Sequence, residues 1–273
     1  MRPSTLFRGV RALSLLAALL AASCGSSSPW RLTWSDEFDG TVAGQPPDPR
    51  KWGFEISGSG FGNGQLEYDT DRPGNASLDG QGHLAITARQ ERFGGNQYTS
   101  ARMLTRGKFE QKYGRFEARL KLPSGRGLWP AFWLLGANID QVSWPACGEI
   151  DVMEYRGQEP RAIHGSAHGP GYSGGGAKTQ TFTLPGADGF DADFHVFALE
   201  WKPDELDFFV DGFLYQVVTA TQLPGGAIWA FDHPVFILLN LAVGGGYLGP
   251  PDSTTTFPQT MLVDYVRVYE RAP

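Results

Sequence analysis

The 273-residue sequence has only two cysteines, no run of basic residues and no apolar segment long enough to span a bilayer. Two cysteines cannot supply a disulfide framework. A formal charge of −6 without a basic cluster argues against a nucleic-acid ligand, because phosphate groups are bound by concentrated lysine and arginine. No long amphipathic helical pattern and no repeat of fixed period is visible. These shortages argue against disulfide-rich, nucleic-acid-binding and helical architectures.

The first 23 residues have the pattern of a lipoprotein-type signal peptide rather than of a folded segment. Three arginines, Arg2, Arg8 and Arg11, precede an apolar run from Ala12 to Ala22. Because this run is too short for a transmembrane helix, we expect residues 1–23 to be an export signal that is not part of the fold.

Residues 20–24 resemble a bacterial lipobox, in which cleavage leaves the cysteine as a lipidated N-terminus; Ala21 stands where leucine is commoner. We therefore predict a lipid anchor on Cys24, a flexible tether over residues 24–29, and an exported bacterial lipoprotein in the cell envelope or outside the cell. The alternative is an ordinary secreted protein cut near Cys24. Cys147 then has no partner in the mature chain, and we interpret it as a buried residue rather than a nucleophile.

Glycine, proline and aromatic residues are abundant, at 36 glycines, 19 prolines and 13% aromatic residues. This composition suits many short strands joined by turns, with aromatic side chains left over for a binding surface. All-β sandwiches of this length often form one unit. Residues 30–273 are therefore predicted to form a single all-β domain.

Several segments show the alternation of apolar and polar residues that is typical of strands. It is clear in residues 84–89, and clearest in residues 115–122, where Phe116 and its alternate neighbours are predicted to point inward. Arg115, Glu117 and the other alternate residues are predicted to point to solvent, which gives a sheet with one wet face.

Two later features concern a hairpin and a buried strand. Asp211 and Gly212 form a two-residue hairpin signal between two apolar runs. Residues 234–243 are nearly all apolar and are predicted to be buried on both faces. Asn240 interrupts that segment, which predicts a polar group directed into a groove.

Three carboxylates lie in residues 147–157, a segment that otherwise reads as a buried strand. Strand side chains alternate between faces, so Glu149 and Asp151 point the same way, while strict alternation turns Glu154 to the opposite face. If residues 152–153 form a β-bulge, Glu154 returns to the face of the other two acids. Three acids then line one wall of a cleft.

Acids this close to one another raise at least one pKa, which allows a carboxylate nucleophile to stand beside a protonated carboxylic acid. Glycoside hydrolysis uses such a pair. The alternative is a charged edge strand whose acids are solvated. Gly148 permits close backbone approach, and the apolar residues Ile150 and Val152 do not suit a solvated edge, so the sequence favours a half-buried groove.

Tryptophans are concentrated just before the acid segment, at Trp129, Trp133 and Trp144. Tryptophan is more often a core residue than a ligand platform. Here the density of indole rings beside an acid cluster suggests that at least two of them stack on pyranose rings, since an indole face covers the apolar face of a sugar.

Residues 149–154 resemble the signature of glycoside hydrolase family 16, in the bulged form typical of laminarinases, which are endo-β-1,3-glucanases. Four further segments resemble that family in the expected order, namely residues 34–38, 127–133, 165–169 and 263–269. The resemblance covers nearly the whole chain after the leader. It implies a β-jelly-roll sandwich of two curved antiparallel sheets with an open concave cleft.

The same resemblance implies roles for the three acids. Glu149 is the nucleophile, Glu154 the acid/base, and Asp151 the residue between them that tunes the nucleophile. No cofactor is expected for catalysis.

Positions outside the acid strand also match the family. Asn63, Arg102 and His168 match cleft residues that contact the sugar, with a turn asparagine, a surface arginine and a structural histidine as the alternatives. Glu37 and Asp264 match positions that often hold a structural calcium ion on the convex side, although two acids do not supply the six to eight oxygens that calcium needs.

The function implied by the resemblance is retaining endo-hydrolysis of β-1,3-glucosidic bonds in laminarin-like glucans, by a protein we expect to be a monomer. One alternative is a non-catalytic β-glucan-binding module, whose sign is a lost glutamate in the signature; both Glu149 and Glu154 are present. The other is a family 16 hydrolase that acts on mixed-linkage glucan or galactan.

Overall fold

The computed structural model describes residues 29–273. The predicted signal peptide and Cys24 lie outside the described residues. Within residues 29–273, no helix is long and apolar enough to cross a bilayer.

Nearly all of the regular structure in residues 29–273 is β-strand. In chain order the strands are β1 (Trp30–Asp36), β2 (Gly53–Phe54), β3 (Glu67–Asp69), β4 (Ala76–Leu78), β5 (Leu84–Ala88), β6 (Tyr98–Ser100), β7 (Arg102–Leu104), β8 (Gly114–Lys121), β9 (Leu128–Gly136), β10 (Glu149–Tyr155), β11 (Ala162–His168), β12 (Lys178–Thr183), β13 (His195–Lys202), β14 (Glu205–Val210), β15 (Phe213–Thr219), β16 (Val235–Val243) and β17 (Gln259–Arg271). The helical elements are α1 (Ile139–Val142) and three 3₁₀ turns (Gly60–Gly62, Gly174–Gly176 and Ala220–Gln222).

Two large antiparallel sheets contain most of the strands. The back sheet has the order β15-β14-β13-β8-β17-β5-β4, with β1 also paired to β17. The cleft sheet has the order β12-β11-β10-β9-β16-β7-β2. The predicted all-β jelly-roll sandwich is confirmed. A separate two-stranded pair, β3 with β6, is parallel and was not predicted.

The core lies between the two sheets. In the cleft sheet, β9 and the neighbouring β16 are buried at every position, as predicted for the apolar segment 234–243 except at the exposed Pro234. In the back sheet, β5 alternates between buried and half-buried residues, as its sequence pattern predicts. Burying a large aliphatic side chain contributes about 1.5–3 kcal/mol, so these strands hold the cleft sheet rigidly on the back sheet.

The outward face of β8 differs from the prediction at Glu117. Phe116 points inward and is fully buried, but Glu117 on the other face is only 8% exposed. Arg115 donates a hydrogen bond to its carboxylate at 2.8 Å, and the Tyr269 hydroxyl donates another at 3.3 Å. Long neighbouring side chains therefore cover this part of the face, which a pattern within one strand does not reveal.

The hairpin predicted at Asp211 and Gly212 joins β14 to β15. Both residues have positive φ angles, 49° and 80°, which is the backbone that a two-residue hairpin with the right-handed strand twist requires. Glycine takes this conformation without strain, and aspartate is among the few other residues that tolerate it.

Candidate active site

The predicted bulge is present in β10. On the β11 side, Asp151 pairs with Ser166 and Glu154 with His164, so residues 152–153 oppose the single residue Gly165. On the β9 side, Asp151 pairs with Trp133 and Met153 with Phe132, and the register shifts between them. The extra residue returns Glu154 to the cleft face, where it lines the same cavity as Glu149 and Asp151.

The three acids are shielded from water to different degrees. Asp151 is 5% exposed, and its Oδ2 oxygen is fully shielded. Glu149 and Glu154 are half-buried residues at the two ends of the acid segment. The sequence interpretation of a half-buried groove thus agrees with the structure, and a solvated edge strand does not.

His168 lies beside two of the acids because β11 pairs residue 168 with Glu149. Its Nε2 is 3.0 Å from Asp151 Oδ2 and 3.8 Å from Glu149 Oε1. The backbone N–H of Gly174 donates to Nδ1 at 3.1 Å. In the neutral imidazole the proton is therefore on Nε2, the nitrogen that faces the acids. The 3.0 Å contact lacks the alignment of a full hydrogen bond, since Asp151 Oδ2 has no hydrogen-bond partner among the described residues.

Glu154 is held by a tryptophan. The indole Nε1–H of Trp129 donates to Glu154 Oε1 at 3.1 Å. Trp129 in turn packs against Tyr247, with 4.9 Å between the ring centroids. Tyr247 follows the glycine-rich stretch 244–246 at the groove edge, and sequence reasoning gave it no role.

Burial raises the pKa values of all three acids, and repulsion by neighbouring carboxylates adds to the rise at Glu149 and Glu154. Burial raises the pKa of Glu149 to about 8, and the charge of Asp151 adds to the rise, while His168 and Arg102 lower it. Burial also raises the pKa of Asp151. Glu154 has a pKa well above its usual range because of burial and the nearby Asp151 and Glu149 charges. The three acids therefore do not all ionise near neutral pH, and the site keeps at least one proton.

The cleft contains most of the residues predicted to bind substrate. Its cavity of about 70 Å³ is lined by three acids and seven other residues. They are Asn63, Gln65, Arg102, Trp129, Ala131, Trp133, Glu149, Asp151, Glu154 and Asn240. Sequence reasoning missed Gln65, although it lies two residues after Asn63 in the same glycine-rich stretch.

Trp133 and Asn240 form a pair on the cleft floor. The indole N–H of Trp133 donates to Asn240 Oδ1 at 2.8 Å, and both residues are more than nine-tenths buried. Asn240 thus points into the groove as predicted. Trp144 is different: it is 46% exposed, and its ring centroid lies 6.1 Å from that of His168 at the cleft mouth. Of the three predicted sugar platforms, Trp144 offers the largest free face.

Arg102 is fixed between aromatic rings. Its guanidinium carbon lies 4.1 Å from the ring centroid of Phe61 and 4.8 Å from that of Trp133. Its Nε forms an ion pair with Glu55, a residue to which the sequence assigned no role. Arg102 is thus a cleft residue rather than a surface charge.

The predicted calcium residues are each paired with an arginine. Arg267 donates to both carboxylate oxygens of Glu37, at 3.1 and 2.7 Å, and Arg119 donates to Asp264 at 2.6 Å. In this arrangement the two carboxylates are neutralised separately and do not fit a shared calcium site. The calcium site stays a prediction.

One group in residues 29–273 has the number and spacing of ligand atoms for a metal ion. It consists of Glu149, Asp151 and His168, whose ligand atoms lie within 4.8 Å of one another. These residues are the acid cluster itself. Cys147, next to this cluster, is fully buried, and burial raises the pKa of its thiol to about 11, which suits a packing residue rather than a nucleophile.

Comparisons with known proteins agree with this geometry. The sequence profile of glycosyl hydrolases family 16 matches residues 62–267, which include the acid strand. A β-glucanase from Rhodothermus marinus is 42% identical over 263 residues, covering 92% of this chain and 90% of that protein. The laminarinase catalytic domain from Thermotoga maritima is 50% identical, with a TM-score of 0.84, covering 89% of this chain and 99% of that one. An endo-β-1,3-glucanase from Pyrococcus furiosus is 49% identical, with a TM-score of 0.84 and coverage of 89% and 95%.

Proposed function

The chain belongs to glycosyl hydrolase family 16, and on this premise we propose that it cuts internal β-1,3-glucosidic bonds of laminarin-like glucans with net retention at the anomeric carbon. The observation that carries the proposal is the bulge in β10, which places Glu149, Asp151 and Glu154 together in one cleft. The names of the similar proteins, β-glucanase, laminarinase and endo-β-1,3-glucanase, support the substrate class.

In the first step a carboxylate oxygen of Glu149 attacks the anomeric carbon of the glucose unit. The bond from that carbon to the glycosidic oxygen breaks, and protonated Glu154 gives its proton to the leaving oxygen. The products of this step are a glycosyl-enzyme ester on Glu149, an ionised Glu154 and a shortened glucan. The indole N–H of Trp129 holds Glu154 in place for the transfer.

In the second step the ionised Glu154 accepts a proton from water. The water oxygen attacks the anomeric carbon and the ester bond to Glu149 breaks, which restores both carboxyl groups. Each step inverts the anomeric carbon, so the overall result is retention. Asp151 lies between the two glutamates along the strand, and we assign it the tuning of Glu149 through its charge, which raises the pKa of the nucleophile.

A panel of polysaccharides tests the substrate class. Reducing sugar is measured with laminarin, lichenan, agarose and xyloglucan under the same conditions. We expect laminarin to be cleaved fastest and to yield oligosaccharides of mixed length early, as internal cleavage does. Binding of laminarin without release of sugar would instead indicate a glucan-binding module, and preferential cleavage of agarose would indicate a galactan hydrolase.

A lipid anchor on Cys24 is a separate part of the proposal. It rests on the lipobox-like residues 20–24 and on the glycine- and serine-rich tether behind them. Membrane fractionation and mass spectrometry of the mature protein test it. Cys24→Ala is expected to release the protein from membranes, and the released protein to sediment as a monomer. A wild-type protein that is fully soluble and carries no acyl mass would refute the anchor.

A structural calcium ion at Glu37 and Asp264 is likewise a proposal, supported by the family resemblance of these positions. Binding requires calcium to displace Arg267 from Glu37 and Arg119 from Asp264. Thermal melts in calcium and in EGTA, with elemental analysis, test it. A tightly bound ion raises the melting temperature, since a ligand at a hundred times its Kd contributes about 2.7 kcal/mol. Identical melts without metal would refute it.

A further inference from the structure

A second group of acids lies behind the cleft wall and is not used by the mechanism above. Glu55, Glu67 and Asp69 lie near Arg102. Burial raises the pKa values of Glu67, Asp69 and Glu149, and the charge of Arg102 opposes the rise at all three. One guanidinium is therefore shared between the catalytic acids and this second group.

Among these acids, Glu55 has the direct contact with Arg102. Its Oε2 forms an ion pair with Arg102 Nε, and both atoms are shielded from solvent without another hydrogen-bond partner among the described residues. The backbone reinforces the contact, because the Glu55 N–H donates to the Arg102 carbonyl at 3.0 Å. Residue 55 directly continues β2, which pairs with β7, so sheet register brings the two side chains together.

The ion pair decides which edge of the guanidinium faces the cleft. Glu55 occupies the Nε edge, and the guanidinium carbon lies 4.1 and 4.8 Å from the ring centroids of Phe61 and Trp133. The two terminal nitrogens are then the ones that can meet a substrate hydroxyl or Glu149 in the cavity that Arg102 lines. Glu55 itself does not line that cavity.

We propose that Glu55 is a positioning residue that orients Arg102 in the cleft and partly neutralises it, so that the Glu55–Arg102 pair sets how strongly Glu149 is held as a carboxylate. This rests on the proposed function, because it assigns Glu149 as the nucleophile. The ionisable groups near Glu149 and Arg102 are Asp151 and Glu154 on β10, His168 on β11, Cys147 before β10, Glu67 and Asp69 on β3, and Glu55 after β2.

Two substitutions are expected to shift the acid limb of the pH profile of kcat/KM in opposite directions. Glu55→Gln keeps the shape and an acceptor oxygen but removes the negative charge, so Arg102 acts on Glu149 unneutralised and the acid limb moves to lower pH. Arg102→Gln removes the cation, so the limb moves to higher pH, and kcat/KM falls about tenfold or more as a charge-assisted contact is lost. Damage to the fold alone has no reason to give opposite signs.

Asp140→Asn is the matched control. Asp140 forms an ion pair with Arg106, which lies two residues beyond the end of β7, and its side chain is 74% exposed. This substitution removes the same charge from a pair outside the cleft, and the acid limb is expected to stay at its wild-type position. Melting temperatures of the three variants confirm that each is folded at the assay temperature.

A readout without turnover separates this proposal from the proposed function. Carbon NMR of protein labelled at glutamate carboxyl groups follows the ionisation of Glu149 directly, with Glu149→Gln to assign its signal. The proposal predicts a lower Glu149 pKa in Glu55→Gln and a higher one in Arg102→Gln, even if laminarin is not the substrate. Shifts of the same sign, or a Glu55→Gln titration equal to that of Asp140→Asn, would overturn it. Failure of the wild type to cleave laminarin would overturn only the function.

Discussion

Glu149 and Glu154 are the same amino acid in one cleft, and their neighbours separate their roles. Burial raises the pKa of both, but His168 and Arg102 oppose the rise at Glu149, whose pKa reaches about 8. The pKa of Glu154 is raised by burial and also by the charges of both other acids. Pairs of carboxyl groups whose surroundings push their pKa values apart divide into an ionised and a protonated partner. This division assigns Glu149 as nucleophile and Glu154 as proton donor.

Replacing the two glutamates is predicted to give different substrate dependence. Glu154→Ala loses the general acid, which contributes about 10²- to 10⁴-fold, so laminarin cleavage falls by that order. An aryl β-glucoside whose leaving group needs no proton still reacts in the first step, visible as a burst of phenolate. Glu149→Ala loses both reactions. Equal loss of both substrates in Glu154→Ala, with an unchanged melting temperature, would contradict the assignment.

At the scale of single residues, sequence reasoning located most of the cleft. Asn63, Arg102, Trp129, Trp133 and Asn240 line it, as the motifs suggested. Glu55 and Tyr247 were missed for a physical reason. Glu55 pairs with Arg102, and Tyr247 packs against Trp129 and Arg156; contacts with partners so distant in sequence leave no local pattern.

At the scale of elements, the bulge in β10 decides where the third acid points. Residues 152–153 stand opposite Gly165 alone, so removal of one residue gives a regular ladder on both sides of the strand. In a regular strand the acids would occupy every second position and still share one face. One additional residue would also restore an even spacing, but it would move Glu154 two positions further along the strand from Glu149.

Deletion and insertion at the bulge are therefore predicted to differ. Deletion of Val152 keeps the three acids in the cleft, and laminarin hydrolysis is expected to remain measurable, although the acid separation changes and the rate falls. Insertion of an alanine between Val152 and Met153 also gives an even spacing, but in a regular strand it moves Glu154 two positions further from Glu149, and hydrolysis is expected to be lost. Rate measurements on both variants, with circular dichroism as the folding control, check this. Activity in the insertion variant would argue against Glu154 as the acid.

The periodicity of the sequence predicted the strands themselves better than the side chains and strands that pack around them. The bulge followed from the spacing of three acids, and burial of β16 from its apolar run. The burial of Glu117 and the parallel pairing of β3 with β6 depend on side chains and strands far away in sequence. Such contacts become visible only when the sheets are assembled.

At the scale of the whole molecule, the buried acids tie stability to pH. Burial raises the pKa of Glu67 to about 7 and also raises those of Asp69, Glu149, Asp151 and Glu154. Above their unfolded pKa values these groups bind more protons in the folded than in the unfolded state. The stability that these groups contribute is therefore fully present below pH ~4.5, and it is lost as the pH rises through their pKa values in the folded state.

The melting temperature is predicted to fall between pH ~5 and ~8, the window set by these shifts. Glu67→Gln is expected to flatten the decline, because the amide keeps an acceptor for the Val243 N–H, which lies 2.7 Å from Glu67 Oε2, without carrying a charge. Glu110→Gln, at an exposed position, is the matched control and should retain the wild-type slope. A melting temperature that stays constant or rises across this range would mean that the folded state does not bind more protons than the unfolded state.

Proton NMR of the first reducing ends formed from laminarin tests the central claim most directly. Retention requires Glu149 to attack the anomeric carbon itself, which fits carboxyl groups about 5–5.5 Å apart and leaves no room for a water between them. The first product is then predicted to be the β anomer, with the α anomer growing only as mutarotation proceeds. An α anomer formed first would mean that water attacks directly, and the roles assigned to Glu149 and Glu154 would be wrong.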